Sequence, residues 1–395
     1  MAYLDHAATT PLRPEAVEAM AKAAMDTGNA SSLHASGRRA RRVVEESREA
    51  IAGVLRCRPG DVIFTSGGTE ADNLAVKGLH GSRRTVDGDR RRVLASAVEH
   101  HAVMDPLVWL EESGQADIVW LPVDGLGRVS AELVAADIES DPQSVSLITV
   151  MWANNEVGTT QPVPTIAHVA AEYGIPVHSD AVQAVGSLPV DFGESGLTSM
   201  AVSAHKLGGP VGVGALVLDR KAEVVAQIHG GGQERNVRSG TLNVAGIAGF
   251  AAAMVAAATE RESESSRLAA LRADLVQRVT EAVPDARYNG DPDPAGRLPG
   301  NAHFSFPGCE GDALLLLLDA RGVECSTGSA CSAGLAQPSH VLIAMGMDEA
   351  DARSSLRFTL GHTSSASDVD ALLAALPAAV ERARVAPGLR RATSA

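Results

Sequence analysis

The stretch "IPVHSDAVQAVG", residues 175–186, decides how this chain folds. A short apolar run opens it, the carboxylate of Asp180 closes that run, and a turn of small residues follows. Continuous apolar runs bounded by polar or glycine residues read as strands buried on both faces. The signature recurs at "DVIFTS" (61–66), "RVLASAV" (92–98), "VSLITVM" (145–151), "TSMAVS" (198–203) and "GALVLD" (214–219). Helical stretches at 38–55, 69–80, 130–140 and 164–173 lie between them. Such alternation predicts an α/β fold, a mainly parallel sheet covered on both faces. Ligands of open α/β sheets gather at the carboxyl ends of the strands, so Asp180 reads as a partner for a cationic ring nitrogen. It reads equally as an N-cap.

Two further stretches belong to the same edge. "SGGTEADN" (66–73) follows a strand and opens a helix. Glycines there let backbone N–H groups approach an anion, and the helix N-terminus favours negative charge. The alternative is a capping box of Thr69 and Asp72. "VSAHKLGGPVG" (202–212) puts Lys206 at a strand end before glycines. It is either a surface lysine in a loop or a Schiff-base nucleophile whose pKa burial lowers. Together, a Gly-Thr anion cradle, a strand-end Asp and a strand-end Lys are what pyridoxal phosphate requires. "AVEHHAV" (97–103) adds His100, able to stack on a planar cofactor and carry protons, with His101 ordinary. "MWANNEVGT" (151–159) places Asn154, Asn155 and Glu156 at another strand end, and "SLRFTLGH" (355–362) offers Arg357 as a carboxylate clamp. Neither P-loop nor G-x-G-x-x-G spacing is present.

The pattern changes near residue 255. "AAAMVAAATERESESSRLAALRADLVQRVTEAV" reads as one or two long helices, and "NAHFSF" and "SLRFTL" as short strands of a smaller α+β domain. The expected division is 13–257 for a large domain, with 1–12 and 258–395 forming the small one. Residues 81–91, "GSRRTVDGDRR", read as a solvated loop, and the tail "APGLRRATSA" as frayed.

The chain has 395 residues, 45% hydrophobic and 21% charged, with net charge −14. Mean hydropathy is +0.03, an ordinary globular composition. The acidic balance argues against direct nucleic-acid binding, which needs Lys and Arg to displace counterions. No apolar stretch is read as reaching the roughly 18 to 20 residues of a membrane span, and no signal peptide is read at the start. Four cysteines, Cys57, Cys309, Cys325 and Cys331, form no CxxC pair. The expectation is a cytoplasmic protein with free thiols and no resident metal site.

The series "YLDHAATTP", "GNASSLH", "SGGTEADNLAVKG", "EHHAV", "NNEVGT", "HSDAVQAVG", "SAHKLGGPVGVGAL", "HGGGQERNVRSGT", "STGSACSAG" and "RFTLG" runs the length of the chain. It resembles the cysteine desulfurases of the IscS/NifS group, class-V aminotransferase-like enzymes of fold type I, most of all their actinobacterial housekeeping forms. The resemblance implies a seven-stranded-type large domain and a homodimer. It implies Lys206 holding pyridoxal phosphate covalently, with Gly68, Thr69, Ser203, His205 and the second subunit's copy of Thr241 on its phosphate. Asp180 would meet the ring nitrogen, Gln183 the phenolic oxygen, and His100 the ring face. Asn29, Asn155 and Arg357 would hold the carboxylate of L-cysteine. Cys331 would take the sulfur as a persulfide, releasing L-alanine, for acceptor proteins of iron–sulfur assembly or of tRNA or DNA thiolation. Cys331 would also be a transient iron–sulfur ligand with a scaffold partner. The alternatives are a selenocysteine lyase or an aminotransferase of the same fold. Departures from the family pattern are Ala30 where Pro is common and "SAHK" for "SGHK", and the tail does not match that by which some relatives dock a scaffold.

"ECSTGSACSAG" (324–334) then reads as the base and body of a mobile catalytic-cysteine loop, about 325–337. Small residues lower the cost of moving it. Cys331 is its expected nucleophile, and Cys325, at the end of the "GVEC" strand, an expected buried hydrophobe.

Overall fold

The structure is a computed structural model and describes residues 1–26, 28–86, 88–328 and 338–392. The first part of the chain forms, in order, β1 (Ala2–Tyr3), α1 (Pro14–Met25), α2 (Ala35–Leu55), β2 (Val62–Thr65), α3 (Gly68–Val86), β3 (Arg92–Ser96), α4 (His101–Glu112), β4 (Asp117–Leu121), α5 (Ala131–Ser140) and β5 (Val145–Thr149). Then come α6 (Val163–Glu172), β6 (Val177–Asp180), α7 (Phe192–Ser195), β7 (Ser199–Ser203) and β8 (Gly214–Leu218). The remainder is α8 (Val244–Ala282), β9 (Arg287–Asn289), β10 (Asn301–Ser305), α9 (Gly311–Asp319), β11 (Val323–Glu324), α10 (His340–Ala344), α11 (Glu349–Arg353), β12 (Ser355–Thr359) and α12 (Ala366–Ala392).

Seven strands make one sheet in the order β2-β8-β7-β6-β5-β3-β4. Strand β8 is antiparallel to both its neighbours and every other pairing is parallel. The exception follows from the connection: only residues 204–213 separate β7 from β8, too few for a parallel crossover. Strands β2, β3, β5, β6 and β7 therefore end on one edge, and the loops after them meet there. Side chains alternate between two cores, as the pleat demands. Leu147, Leu216 and Leu218 pack with α3 and α4, whereas Ile148, Ala215 and Val217 pack on the opposite face with α2, α6 and the start of α8.

A second, antiparallel sheet has the order β12-β10-β9. Phe304, Phe306 and Phe358 fill a separate core against α9, α12 and the far half of α8 (Leu268, Leu275, Val279). Strand β1 pairs in parallel with β11, which ties the first residues of the chain to this later body. At 39 residues, α8 is about 58 Å long and contributes to both cores.

Three expectations are corrected. Helix α8 holds a window apolar enough to cross a bilayer by length and composition, contrary to the reading of the sequence. Its apolar side, including Ile247, Phe250 and Met254, is packed inside the protein. Residues 81–86 continue α3 rather than forming a loop; their arginines lie in its last turn, where cations favour a helix C-terminus. The backbone of the tail stays helical as far as Ala392.

Candidate active site

The strand-end loops enclose a cavity of about 420 Å³, lined among others by Gly68, Thr69, His100, Asp180, Lys206 and Arg357. Asn155, Gln183, Ser203 and His205 line it too. Ten of the residues singled out in the sequence thus meet at one place. Asn29 is exposed, its Oδ1 accepting from the Ser31 N–H at 2.9 Å, and is not among the cavity's lining residues. Thr241 is exposed and outside the cavity of its own chain. Cys331 lies outside the described residues, as does the 329–337 part of the predicted loop. Cys325 follows β11 and packs on the small core, where burial pushes its thiol up to about 12. That is the behaviour of a small apolar residue rather than a nucleophile.

Lys206 follows β7 in a single tight turn, and its Nζ donates to the carbonyls of Ala7 and Ala8. Burial, with help from the Arg357 guanidinium, lowers its amine to about 8. Gln183 also donates to the Ala7 carbonyl, at 2.9 Å. Asp180 is 6% exposed; its Oδ1 accepts from the Val182 N–H at 2.9 Å, and burial raises its carboxyl against the opposing pull of His100 and Lys206. His100 is the N-cap of α4, with Nδ1 accepting from the Ala102 N–H at 3.0 Å. Its ring opens onto the cavity, yet the surrounding protein displaces enough water to hold the imidazole below its usual value. Because Nδ1 accepts, the proton of the neutral ring sits on Nε2.

A layer that sequence reading missed lies behind these groups. Asp72 and His178 are both buried and meet at 3.1 Å, while His178 Nδ1 contacts Ser199 Oγ at 2.9 Å. Burial raises the Asp72 carboxyl and lowers the His178 imidazole to about 3. Asp72 is therefore no capping residue; the Ser66 N–H is taken by Glu70 instead, at 2.9 Å. Glu99 is fully buried, one oxygen accepting from the Met151 N–H at 2.6 Å and the other without a partner. Its carboxyl is raised by burial and by Asp180. Adjacency to His100 in "EHHA" was the one available signal for Glu99. Only the packing of α3 on β6 brings Asp72 to His178.

Arg357, on β12, is 4% exposed, donating to Asp5 at 2.8 Å and to the Asn155 carbonyl at 2.9 Å. Its Nε is buried without a partner. The donor set fits a phosphorylated, carbonyl-bearing cofactor. At Gly68 a Cβ would press to 3.0 Å from Val182 and 3.6 Å from Ser203, so glycine keeps the start of α3 open to close approach. Asp180, raised by burial, has a use for a cationic partner on the cavity side.

Residues 2–372 match the aminotransferase class-V family model. The chain is 58% identical over 384 residues to an IscS-like cysteine desulfurase of Mycobacterium tuberculosis, covering 97% of each. The chain belongs to the cysteine desulfurases of the class-V aminotransferase family. A solved NifS-like protein superposes with a TM-score of 0.88 at 32% identity, covering 96% of this chain and 100% of that one. SspA, solved in complex with cysteine, has a TM-score of 0.77 at 31% identity over 91% of this chain and 99% of its own. Both superpose over more than nine-tenths of this chain, so the fold is shared.

Proposed function

We propose that this cysteine desulfurase binds pyridoxal phosphate in the cavity at the strand ends and takes sulfur from L-cysteine onto Cys331. The supporting observation is the convergence of Lys206, Asp180 and the start of α3 on one 420 Å³ cavity. Lys206, lowered to about 8, would join the cofactor aldehyde through its amine. Gly68, Thr69, Ser203 and His205 would hold the phosphate, with Thr241 of a second subunit completing the set in a homodimer. Asp180 would face the ring nitrogen, Gln183 the phenolic oxygen, and His100 the ring face. When bound, the cofactor supplies an electron sink for the substrate's carbon skeleton.

The chain's own groups do the rest. Asn155 and Arg357 would orient the substrate carboxylate, with Asn29 named as a third ligand from sequence. For Arg357 this adds a second anion beside Asp5. The Cys331 thiolate would attack the substrate sulfur. An S–S bond forms, the C–S bond breaks with its electron pair on carbon, and that carbon takes a proton, leaving L-alanine and Cys331 persulfide. His100, with its proton on Nε2, stands beside Asp180 and Lys206 as the group to move protons. The persulfide would then pass to acceptor proteins of iron–sulfur assembly or nucleic-acid thiolation, in the cytoplasm. The division into a large domain, 13–257, and a small domain, 1–12 with 258–395, belongs to the same proposal, with the two separate cores in support.

The test is spectroscopic and chemical. Purified protein should carry a visible cofactor band and turn L-cysteine into L-alanine and, with reductant, sulfide. Lys206→Ala should lose the band and the turnover together. Amino transfer to a keto acid without sulfide release would contradict the proposal.

A further inference from the structure

The segment "DHAATT", residues 5–10, lies between β1 and α1, and the scheme above gives its backbone no task. It meets the site at several points. Asp5 accepts from Arg357 at 2.8 Å. The Ala7 carbonyl accepts from Lys206 Nζ and, at 2.9 Å, from Gln183; the Ala8 carbonyl accepts from Lys206 Nζ at 2.8 Å. Thr9 Oγ1 contacts His205 Nδ1 at 3.2 Å, and the Thr10 N–H donates to the His205 carbonyl at 3.2 Å. The two bonds from Nζ identify the form of the lysine they serve. A nitrogen joined to an aldehyde carbon keeps at most one hydrogen, so only the unjoined amine donates twice.

His6 closes this segment on itself and ties it to the later body. The ring is buried; Nδ1 meets the Thr10 hydroxyl at 2.5 Å and Nε2 the buried Ser364 hydroxyl at 3.1 Å. Ser364 lies in the turn between β12 and α12, where its Oγ also accepts from the Gly361 N–H at 2.9 Å. A Cβ at Gly361 would overlap the His6 ring, so glycine is what lets the ring enter. Burial, with the neighbouring His362, holds the imidazole down at about 4, and the bridge is made by a neutral ring at pH 7. His6, Thr10, Gln183 and Lys206 also line a second cavity of about 100 Å³, so the ring and the amine border the same space.

We propose that His6 is a positioning residue: by pinning the segment 5–10 between Thr10 and Ser364, it fixes the Ala7 and Ala8 carbonyls that hold the Lys206 amine for condensation. The inference rests on Lys206 being the lysine that joins pyridoxal phosphate. In that step Nζ and the aldehyde carbon form a C=N bond, and the aldehyde oxygen leaves as water with two protons from the amine. Holding the amine in place beforehand removes orientational entropy from the barrier. The hydrogen bonds of the ring, rather than its bulk, are the working element.

The experiment uses the full chain stripped of cofactor, at pH 9, and compares wild type with His6→Ala, His6→Leu, His6→Asn and Thr10→Val. Two quantities are read. One is the rate at which the visible band appears on addition of pyridoxal phosphate. The other is the affinity, by titration calorimetry, for pyridoxine phosphate, which carries an alcohol in place of the aldehyde and cannot join the lysine. His6→Ala, His6→Leu and Thr10→Val should slow the band by on the order of tenfold while leaving the pyridoxine phosphate affinity unchanged. His6→Asn, whose amide reaches the Thr10 hydroxyl as Nδ1 does, should recover most of the rate. Band formation at the wild-type rate in His6→Ala overturns the proposal, as does recovery by His6→Leu, which would make bulk the cause. A loss of pyridoxine phosphate affinity that matches the loss of rate overturns it too, because His6 would then support the whole site rather than the amine. If His6→Ala does not fold, Thr10→Val, which removes one hydroxyl at nearly constant shape, decides by the same two readings. Wild-type protein that forms no band refutes the reading of Lys206 itself, an outcome distinct from variants that match the wild type.

Discussion

Lys206 owes its proposed chemistry to its surroundings. An amine held at about 8 is half unprotonated near that pH, far below the usual lysine value of 10.5. Condensation with an aldehyde needs the unprotonated amine. The rate at which cofactor-free protein regains its visible band on addition of pyridoxal phosphate should therefore rise with pH and level off above about 8. A rise that continues beyond pH 10 would contradict the burial argument. His303 offers a separate test at the same scale. It is fully buried, Nδ1 accepts from Asn289 at 3.0 Å, and burial lowers its imidazole to about 3. The unfolded chain binds a proton on this group below about pH 6.5 and the folded chain does not, so stability falls as pH falls from there toward 3. By pH 5 the loss from one such histidine is about 2 kcal/mol. Asp72 and Glu99, raised in the folded state, act with the opposite sign. The measurement is thus a difference: between pH 7 and 5, His303→Gln should lose about 2 kcal/mol less than wild type in urea unfolding. Equal losses would mean that His303 titrates normally.

At the scale of elements, the clearest device is the clamp between α2 and the stretch before Thr241. Glu234, Arg235 and Asn236 all have left-handed φ, at 45°, 59° and 64°, a conformation that costs roughly 1–2 kcal/mol per non-glycine residue. Glu234 offsets that cost with a bidentate pair to the buried Arg48, at 2.7 and 2.8 Å, and a bond from the Phe64 N–H at 2.7 Å. Glu234→Ala would leave the Phe64 N–H unpaired and the buried Arg48 with only Glu45 and the Val62 carbonyl, and should destabilise the fold by roughly 3–5 kcal/mol. Glu70→Ala removes a more exposed pair with Arg238 and should cost much less. Similar urea midpoints for the two variants would contradict the ranking. The central strands were legible in the sequence because burial on both faces makes them continuous apolar runs. Strand β4 was not, because "DIVWL" is an edge strand with partial exposure along most of its length. Helix α4 was hidden by Pro106 in its interior, a residue that reads as a breaker. The carbonyl that Pro106 leaves free, that of Ala102, accepts from Asn73 at 3.4 Å. Similarly, residues 81–86 read as loop from their charges because nothing local shows that α3 continues beneath them.

For the whole molecule, the decisive feature is one sheet edge to which every strand but β8 delivers its end. Lys206, Asp180 and His100 could be singled out because each closes or follows a strand, which sequence shows. Asp72, His178 and Glu99 could not, because the partners of each, His178 for Asp72 and the Met151 N–H for Glu99, come from distant elements. Glu156 was visible as a strand-end residue, but its link to Ser339 spans 183 positions and no local pattern carries it. Thr241 falls outside the cavity of its own chain, so its assigned role requires a second copy. The most direct measurement is intact and peptide mass spectrometry of the holoenzyme after one turnover with L-cysteine. One added sulfur on Cys331, with L-alanine in equal amount, and neither in Cys331→Ala, is the predicted result. Alanine and sulfide formed at the wild-type rate by Cys331→Ala would contradict it.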